Sequence, residues 1–129
     1  MAVGQARAQA LQQAGKPVPG LVAIRALVDT GASSTCIDPS VLTKLQLTPT
    51  GKTHMITPST GATPHLADQY DVSLAIFGNA NEPPLVLPTL AVTATALQHQ
   101  GIDGLIGRDI LTMCLLTYNG SMGQFTLAF

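Results

Sequence analysis

Apolar residues lie along the chain in short runs and alternating stretches, which glycine, proline and small polar residues separate. The alternation is clearest at Val72, Leu74 and Ile76, whose side chains would share one face of a β-strand. The same pattern predicts strands at 21–28, 35–37, 54–56, 70–77, 85–97, 101–107, 115–118 and 124–129. Helical spacing is confined to 39–45 and 108–114. The sequence therefore predicts a mainly β fold with one or two short helices.

Local turn chemistry indicates where some of these elements begin and end. Either Asp38 or Ser40 is suited to cap a short helix, and Pro39 is favoured in a first helical turn. Near the C-terminus, Asn119-Gly120 is a strong signal for a tight hairpin turn. We therefore expect a capped helix in the first half of the chain and a β-hairpin at its end.

The first residues of the chain differ from the rest in composition. Residues 1–15 are rich in alanine and glutamine and favour either a helical turn or a loose arm. A stretch that contains glycine and proline breakers follows them. We therefore divide the chain into an N-terminal arm at 1–20, which is free to be flexible, and one domain at 21–129.

Composition narrows the range of partners. The chain has 129 residues, of which 46% are hydrophobic and 10% charged, and its net charge is -1. This is apolar for the surface of a small monomer, so part of it is expected to be buried against a partner. The basic residues form no cluster, which argues against nucleic acid. No run is long enough to span a membrane and no secretory signal is present, so we expect a cytoplasmic protein without membrane contact.

Cysteine and histidine offer little chemistry. For Cys36 and Cys114, two buried free thiols are favoured over one disulfide. The spacing of cysteine, histidine and acidic residues does not match a metal site, so we expect neither a metal nor a cofactor.

The segment around Asp29 has the features of a reactive site. Asp29 directly follows an apolar strand, Thr30 supplies a hydroxyl, and Gly31 permits a sharp turn. A single carboxylate at the end of a buried strand is costly to keep charged. Two facing carboxylates can share one proton, so that one acts as a base and the other as an acid. Such a pair can activate water for peptide hydrolysis.

A second motif gives the first one its context. Leu105-Ile106-Gly107-Arg108 is an apolar pair before a glycine, and a candidate hairpin with Gly61 at its tip lies between the two motifs. In this order they resemble the retropepsins, the retroviral-type aspartic proteases, over residues 21–129. The sequence Gly-Arg-Asp-Ile-Leu is most similar to the bacterial or retroelement-like branch. The resemblance implies a single-lobe acid protease fold that is closed, β-rich and paired as a two-fold homodimer.

The resemblance implies roles for three sets of positions. In the catalytic set, Thr30 would brace the dimer across its axis, and the Gly31 carbonyl would accept from the substrate backbone. The catalytic positions are Asp29, Thr30 and Gly31. The positions that would line the substrate subsites are Leu27, Ala32, Cys36, Gly61 and Leu105. The positions that would support the site are Ile106, Gly107 and Arg108.

Two departures from the family pattern affect these expectations. In retroviral relatives, the arginine of the second motif pairs with an acidic residue four positions after the catalytic aspartate. Here that position is Ser33, so the pairing is absent or replaced. The candidate flap at 57–64 carries Pro58 and Pro64 and a single glycine, which predicts a stiffer flap.

One copy of the motif implies a dimer. Asp103-Gly104 lacks a preceding apolar strand, and the other aspartates are better suited to exposed or capping roles. A two-fold contact would bring Asp29 opposite its own copy. The C-terminal segment 124–129 also resembles the strand that retroviral enzymes use at their dimer interface. The chain is thus expected to be a homodimeric aspartic endopeptidase that binds its peptide or protein substrate as an extended strand.

Two other interpretations remain open. The first is a catalytically silent dimer of the same fold that binds extended peptides, which the altered flap favours. The second is a small β domain in which Asp29-Thr30-Gly31 is an ordinary turn.

Overall fold

A computed structural model describes residues 1–56 and 61–129, and they form the mainly β domain that the sequence predicts. The strands are β1 (Ala2–Val3), β2 (Ala26–Val28), β3 (Cys36–Ile37), β4 (Gly51–Met55), β5 (His65–Ile76), β6 (Leu85–Ala94), β7 (Gly104–Ile106), β8 (Leu115–Asn119) and β9 (Gln124–Ala128). The helices are α1 (Gln5–Gln13), α2 (Pro39–Lys44) and α3 (Arg108–Leu111), with a 3₁₀ turn at Gln98–Gln100. The prediction of one or two helices did not count α1, which forms from the alanine- and glutamine-rich residues.

The order of the strands matters most for the site. The main sheet has the order β1-β5-β6-β3-β7-β2, and β4 pairs with β5 beside this path. β7 runs parallel to β2 and antiparallel to β3, so it inserts between two strands that are neighbours in sequence. The connection from β2 to β3 must therefore pass around the end of β7, and this connection contains Asp29.

The core joins the helices to the sheet. Its fully buried side chains are Ile37, Val41, Leu45, Val72, Val92 and Ile110. Asp38 caps α2 as predicted, because its side chain accepts a hydrogen bond from the Ser40 N–H at 2.9 Å. The cap starts α2 at Pro39 and turns Val41 and Leu45 into the core. Burial of each such side chain stabilises the fold by about 1.5–3 kcal/mol.

The start of the predicted arm is part of this core. β1 pairs with β5, and the side chains of Met1 and Val3 are buried in the main cluster. The Met1 amino nitrogen also donates to the Val22 carbonyl at 2.8 Å. Residues 1–3 are held because they fill apolar space and occupy an edge of β5. The domain boundary at residue 20 stays a prediction.

Other elements differ in extent from the predictions. β2 has three residues, and 21–25 are irregular. The C-terminal hairpin forms, but its strands end at the pair Asn119 and Gln124, so its loop is longer than Asn119-Gly120 alone. The left-handed backbone that this loop needs is at Gly123, with φ 60°. Both Cys36 and Cys114 are free thiols, as expected, but Cys36 is buried whereas Cys114 is only partly buried.

None of the helices in residues 1–56 and 61–129 combines the length and the apolar character that crossing a bilayer requires.

Candidate active site

Asp29 begins the loop that connects β2 to β3. Its backbone N–H donates to the Ile106 carbonyl of β7 at 3.0 Å, which fixes the start of the loop. One carboxylate oxygen, Oδ1, accepts from the Gly31 N–H at 2.9 Å. A Cβ at Gly31 would lie 3.1 Å from that oxygen and would crowd it, so glycine suits this position. The loop thus holds a half-buried carboxylate at the end of a strand, as the sequence predicts.

The carboxylate lines a cleft of about 460 Å³. Three of the predicted subsite positions, Ala32, Cys36 and Leu105, share this cleft with Asp29. The wall contributed by β4 and the residue after it consists of Thr53, His54, Met55 and Ile56. The cleft is therefore bounded by the Asp29 loop, by β3 and β7, and by the half of β4 that lies nearest the tip of the β4–β5 hairpin.

Two predicted positions lie in a different depression. Leu27 and Thr30 line an apolar cavity of about 420 Å³ together with side chains of β8 and β9. Leu27 is 52% exposed and lies on β2, the edge strand of its sheet. A single chain therefore does not bring Leu27 into the Asp29 cleft. The roles predicted for Leu27 and Thr30 stay predictions.

The β4–β5 hairpin corresponds to the predicted flap. Its strands pair antiparallel from Gly51 opposite Gln69 to Met55 opposite His65. Gly61 has a left-handed backbone with φ 60°, and a Cβ there would meet nothing within 4 Å. The rest of the predicted tip, residues 57–60, lies outside the described residues. Contact between Gly61 and a substrate stays a prediction.

The three support positions hold the Asp29 loop through the backbone. The Ile106 carbonyl accepts from Asp29, and the Arg108 N–H donates to the Ala32 carbonyl at 3.0 Å. A Cβ on Gly107 would lie 2.5 Å from the Ser34 carbonyl carbon, so only glycine allows this close approach. The Arg108 side chain is exposed. Bracing of the loop thus uses the main chain of Arg108 in place of the family's ion pair with its guanidinium.

The sequence interpretation missed two residues at the other end of the loop. Thr35 is fully buried, and both its N–H and its hydroxyl donate to the Asp109 carboxylate at 2.8 Å. The hydroxyl also accepts from the Gly107 N–H at 3.2 Å. Asp109 had been assigned an exposed or capping role. A threonine next to the apolar Cys36-Ile37 pair was the available signal, but its partner lies 74 residues away.

Two ionisable side chains besides Asp29, those of Cys36 and His54, lie in the cleft wall. Burial raises the pKa of the Cys36 thiol, and the nearby carboxylates of Asp109 and Asp29 raise it further, against a hydrogen bond with Thr95 that lowers it. The Cys36 thiol is therefore neutral at ordinary pH and lines the cleft as a small apolar group.

A family model described as "Aspartyl protease" matches residues 15–110, which contain both sequence motifs and the hairpin between them. No curated protein and no solved structure gave a significant match to the chain.

Proposed function

Because the chain belongs to the retropepsin-like aspartyl protease family, we propose that it is an endopeptidase that works as a homodimer with one Asp29 from each subunit. The observation that carries this proposal is the half-buried Asp29 carboxylate in a cleft with a hairpin wall. The cleft joins an acidic group to apolar side chains and to main-chain groups, which is what binding and cutting an extended peptide requires.

The reaction follows from two carboxyl groups that share a proton. The ionised Asp29 takes a proton from a water molecule, and the water oxygen attacks the carbonyl carbon of the peptide bond. The protonated Asp29 of the second copy donates its proton to the carbonyl oxygen, which gives a tetrahedral diol. On collapse, the protonated carboxyl group gives its proton to the leaving nitrogen, the carbon–nitrogen bond breaks, and a hydroxyl of the diol returns its proton to the other carboxylate. The pair then holds one proton again, as at the start.

The cleft of one chain has an incomplete set of groups for this chemistry. Asp29 is the one acidic side chain among the described residues that line it. Sharing a proton between two carboxyl groups needs a second carboxyl group, and a two-fold axis beside Asp29 would supply it.

The C-terminal hairpin offers a surface for this pairing. Leu116, Tyr118, Phe125 and Leu127 share one face of it. Tyr118 is 70% and Phe125 is 58% exposed, although both border the cavity that contains Thr30. A two-stranded sheet is marginally stable in isolation. Cover by a second copy would bury this face next to the catalytic loop, in agreement with the predicted interface role of 124–129.

Main-chain groups are available for substrate at β4. Among the described strands, β4 pairs with β5 only, so its other edge is free to bond an extended peptide. Ala32, Cys36, Met55 and Leu105 give the adjoining cleft an apolar lining. We propose that this lining accepts an apolar side chain beside the cut bond.

Cleavage of a mixed peptide library between pH 3 and 7 tests the proposal, with Asp29→Asn as the matched variant. Sedimentation in the same buffers reports the oligomeric state. We expect the parent to cut only where dimer is present, with loss of cleavage in the variant. A confirmed dimer that cuts nothing would contradict the proposal.

The second candidate, a silent peptide-binding dimer, is favoured by Pro64 next to β5, because proline limits the backbone and removes a donor. It predicts equal peptide affinity for the parent and for Asp29→Asn, with no cleavage by either.

A further inference from the structure

The loop from Asp29 to Thr35 is attached to one short segment of chain, residues 106–109. Its start is bonded to the Ile106 carbonyl at 3.0 Å, and its middle is bonded through the Ala32 carbonyl to the Arg108 N–H at 3.0 Å. Its end is bonded to the Asp109 carboxylate through Thr35. The first two attachments use main-chain atoms. The third is the one that a side-chain substitution can remove.

The Thr35–Asp109 attachment is partly buried and uses both carboxylate oxygens. Oδ2 accepts from the Thr35 N–H, and Oδ1 accepts from the Thr35 hydroxyl, each at 2.8 Å. Oδ1 also accepts from the Ile110 N–H at 2.9 Å. Hydrogen bonds to an ionised acceptor are the strong ones, and two from one residue fix its orientation as well as its place.

Thr35 also makes two further hydrogen bonds, one to the β7–α3 segment and one to the sheet. Its hydroxyl accepts from Gly107, which already touches Ser34 so closely that a Cβ would overlap it. Its carbonyl accepts from the Thr93 N–H of β6 at 3.2 Å. The end of the loop is thus hydrogen-bonded to both α3 and the sheet. Asp29, at the other end of the loop, is hydrogen-bonded to the same segment, which joins β7 to α3.

We propose that Asp109, acting through Thr35, is a positioning residue for Asp29. This inference rests on the proposed function, because only a paired Asp29 makes the exact placement of the loop matter for a reaction. Each of the two loops must present its carboxylate at one spacing from the other for a proton to be shared. A displacement of about 1 Å can lower the rate about 100-fold.

The main test compares Asp109→Ala and Asp109→Asn with the parent. We expect Asp109→Ala to lower kcat about 10- to 100-fold with KM little changed, and to shift the limbs of the pH–rate profile. Asparagine keeps one acceptor oxygen, so it is expected to recover part of the loss. Asp103→Asn is the matched control, since Asp103 also accepts from a backbone N–H but lies at the other end of β7. It should leave both kcat and the limbs unchanged.

A pair of variants at Thr35 covers the case in which Asp109→Ala does not fold. Thr35→Val removes the hydroxyl and keeps the shape, whereas Thr35→Ser keeps the hydroxyl. The proposal expects valine, and not serine, to lower kcat and shift the limbs. Unchanged kcat and limbs per folded dimer, with only a lower melting temperature, would overturn it and leave Asp109 a purely structural residue.

A measurement that needs no turnover distinguishes failure of this inference from failure of the proposed function. Carboxyl-¹³C NMR of labelled aspartate follows proton uptake by the Asp29 pair, with Asp29→Asn identifying its signals. Two separated titration steps in the parent, with changed pH midpoints in Asp109→Ala, would support the positioning role even if the parent cuts no peptide. Identical titration in both proteins overturns positioning even if the parent is an active protease.

Discussion

The three strands β2, β7 and β3 carry aspartates at both ends of the unit they form, and Asp29 at one end differs in its hydrogen bonds from Asp38 and Asp103 at the other. At the end where β2 and β7 begin, Asp38 accepts from the backbone N–H groups of Leu97, Gln98 and Ser40 at 2.7, 3.1 and 2.9 Å. Asp103, beside it, accepts from the Arg25 N–H at 2.7 Å and the Gln98 amide at 2.8 Å. At the opposite end, the Asp29 side chain accepts from Gly31 alone among the described residues.

The difference separates two structural carboxylates from the one that we propose to be reactive. Although burial opposes it, donation by the Leu97, Ser40 and Gln98 backbone lowers the pKa of Asp38 to about 2. The backbone N–H of Arg25 and the Gln98 side chain lower the pKa of Asp103 as well. A carboxylate with its lone pairs occupied stays ionised and holds the chain. Asp29 keeps lone pairs that can accept a proton, and this is what acid–base chemistry requires.

The largest expected effect is at Asp29. Asp29→Asn should lower kcat/KM about 1,000-fold or more, because an amide cannot exchange the shared proton. The free energy of unfolding should change by less than about 0.5 kcal/mol, since the side chain has one hydrogen bond and is only half buried. Steady-state kinetics and urea unfolding on the same preparation check both halves. A large loss of stability would mean that Asp29 is structural like Asp38.

The opposite behaviour is expected at Asp38. Asp38→Ala leaves three backbone N–H groups without their acceptor, so it should lower the free energy of unfolding by about 2–4 kcal/mol. Activity per folded dimer should stay within about twofold, because Asp38 is at the far end of β7. Chemical denaturation gives the first value, and kinetics normalised to the folded fraction give the second. Loss of activity in a fully folded variant would mean that Asp38, like Asp29, contributes to the reaction.

A smaller effect on stability is expected when a fall in pH protonates the Asp38 carboxylate. Because the pKa of Asp38 falls from 3.8 in the unfolded chain to about 2 in the fold, its contribution is complete above about pH 4. It is lost as pH falls toward 2, and we expect it to amount to about 1–2 kcal/mol. Unfolding free energies between pH 2 and 6 measure it. Asp38→Asn should flatten this part of the curve, and an equally steep curve in the variant would assign it to other groups.

The smallest expected effect is at Asp103. Asp103→Asn keeps one acceptor oxygen, and its site is more open to solvent, so a loss of about 1 kcal/mol is expected. Thermal unfolding of the single and double variants with Asp38→Asn would detect it. Because Gln98 donates to both aspartates, the two losses should not add. Strictly additive losses of stability would show that Asp38 and Asp103 stabilise the fold independently of each other.

Local sequence was sufficient where the structure is built from neighbouring residues. The cap on α2 needs only Asp38 and Pro39, and the turn at Asp29 needs only an apolar strand followed by Gly31. The second motif was found from its own residues, an apolar pair before a glycine, although the approach to Ser34 that demands glycine at 107 joins distant parts of the chain. The family match supports the joint interpretation of the two motifs.

The remainder depends on contacts between distant parts of the chain. Two residues of β1 carry no strand signal of their own, and they are held only because β5 offers an edge. The hydrogen bonds between Thr35 and Asp109 join residues that are 74 positions apart in the sequence, so no local sequence pattern indicates them. The position of Leu27 beside the C-terminal hairpin likewise depends on residues far along the chain, and its predicted subsite role stays a prediction.

The insertion of β7 between β2 and β3 also has a consequence for the order of folding. β2 and β3 are made early, yet the strand that joins them is synthesised only after the β4–β5 hairpin and β6. Closing so long a loop is slow, because its entropy is lost before the contacts that reward it exist. A chain emerging from the ribosome therefore has no assembled Asp29 loop until residue 111 is free to fold, so under the proposed function a product truncated before that residue would cut no peptide.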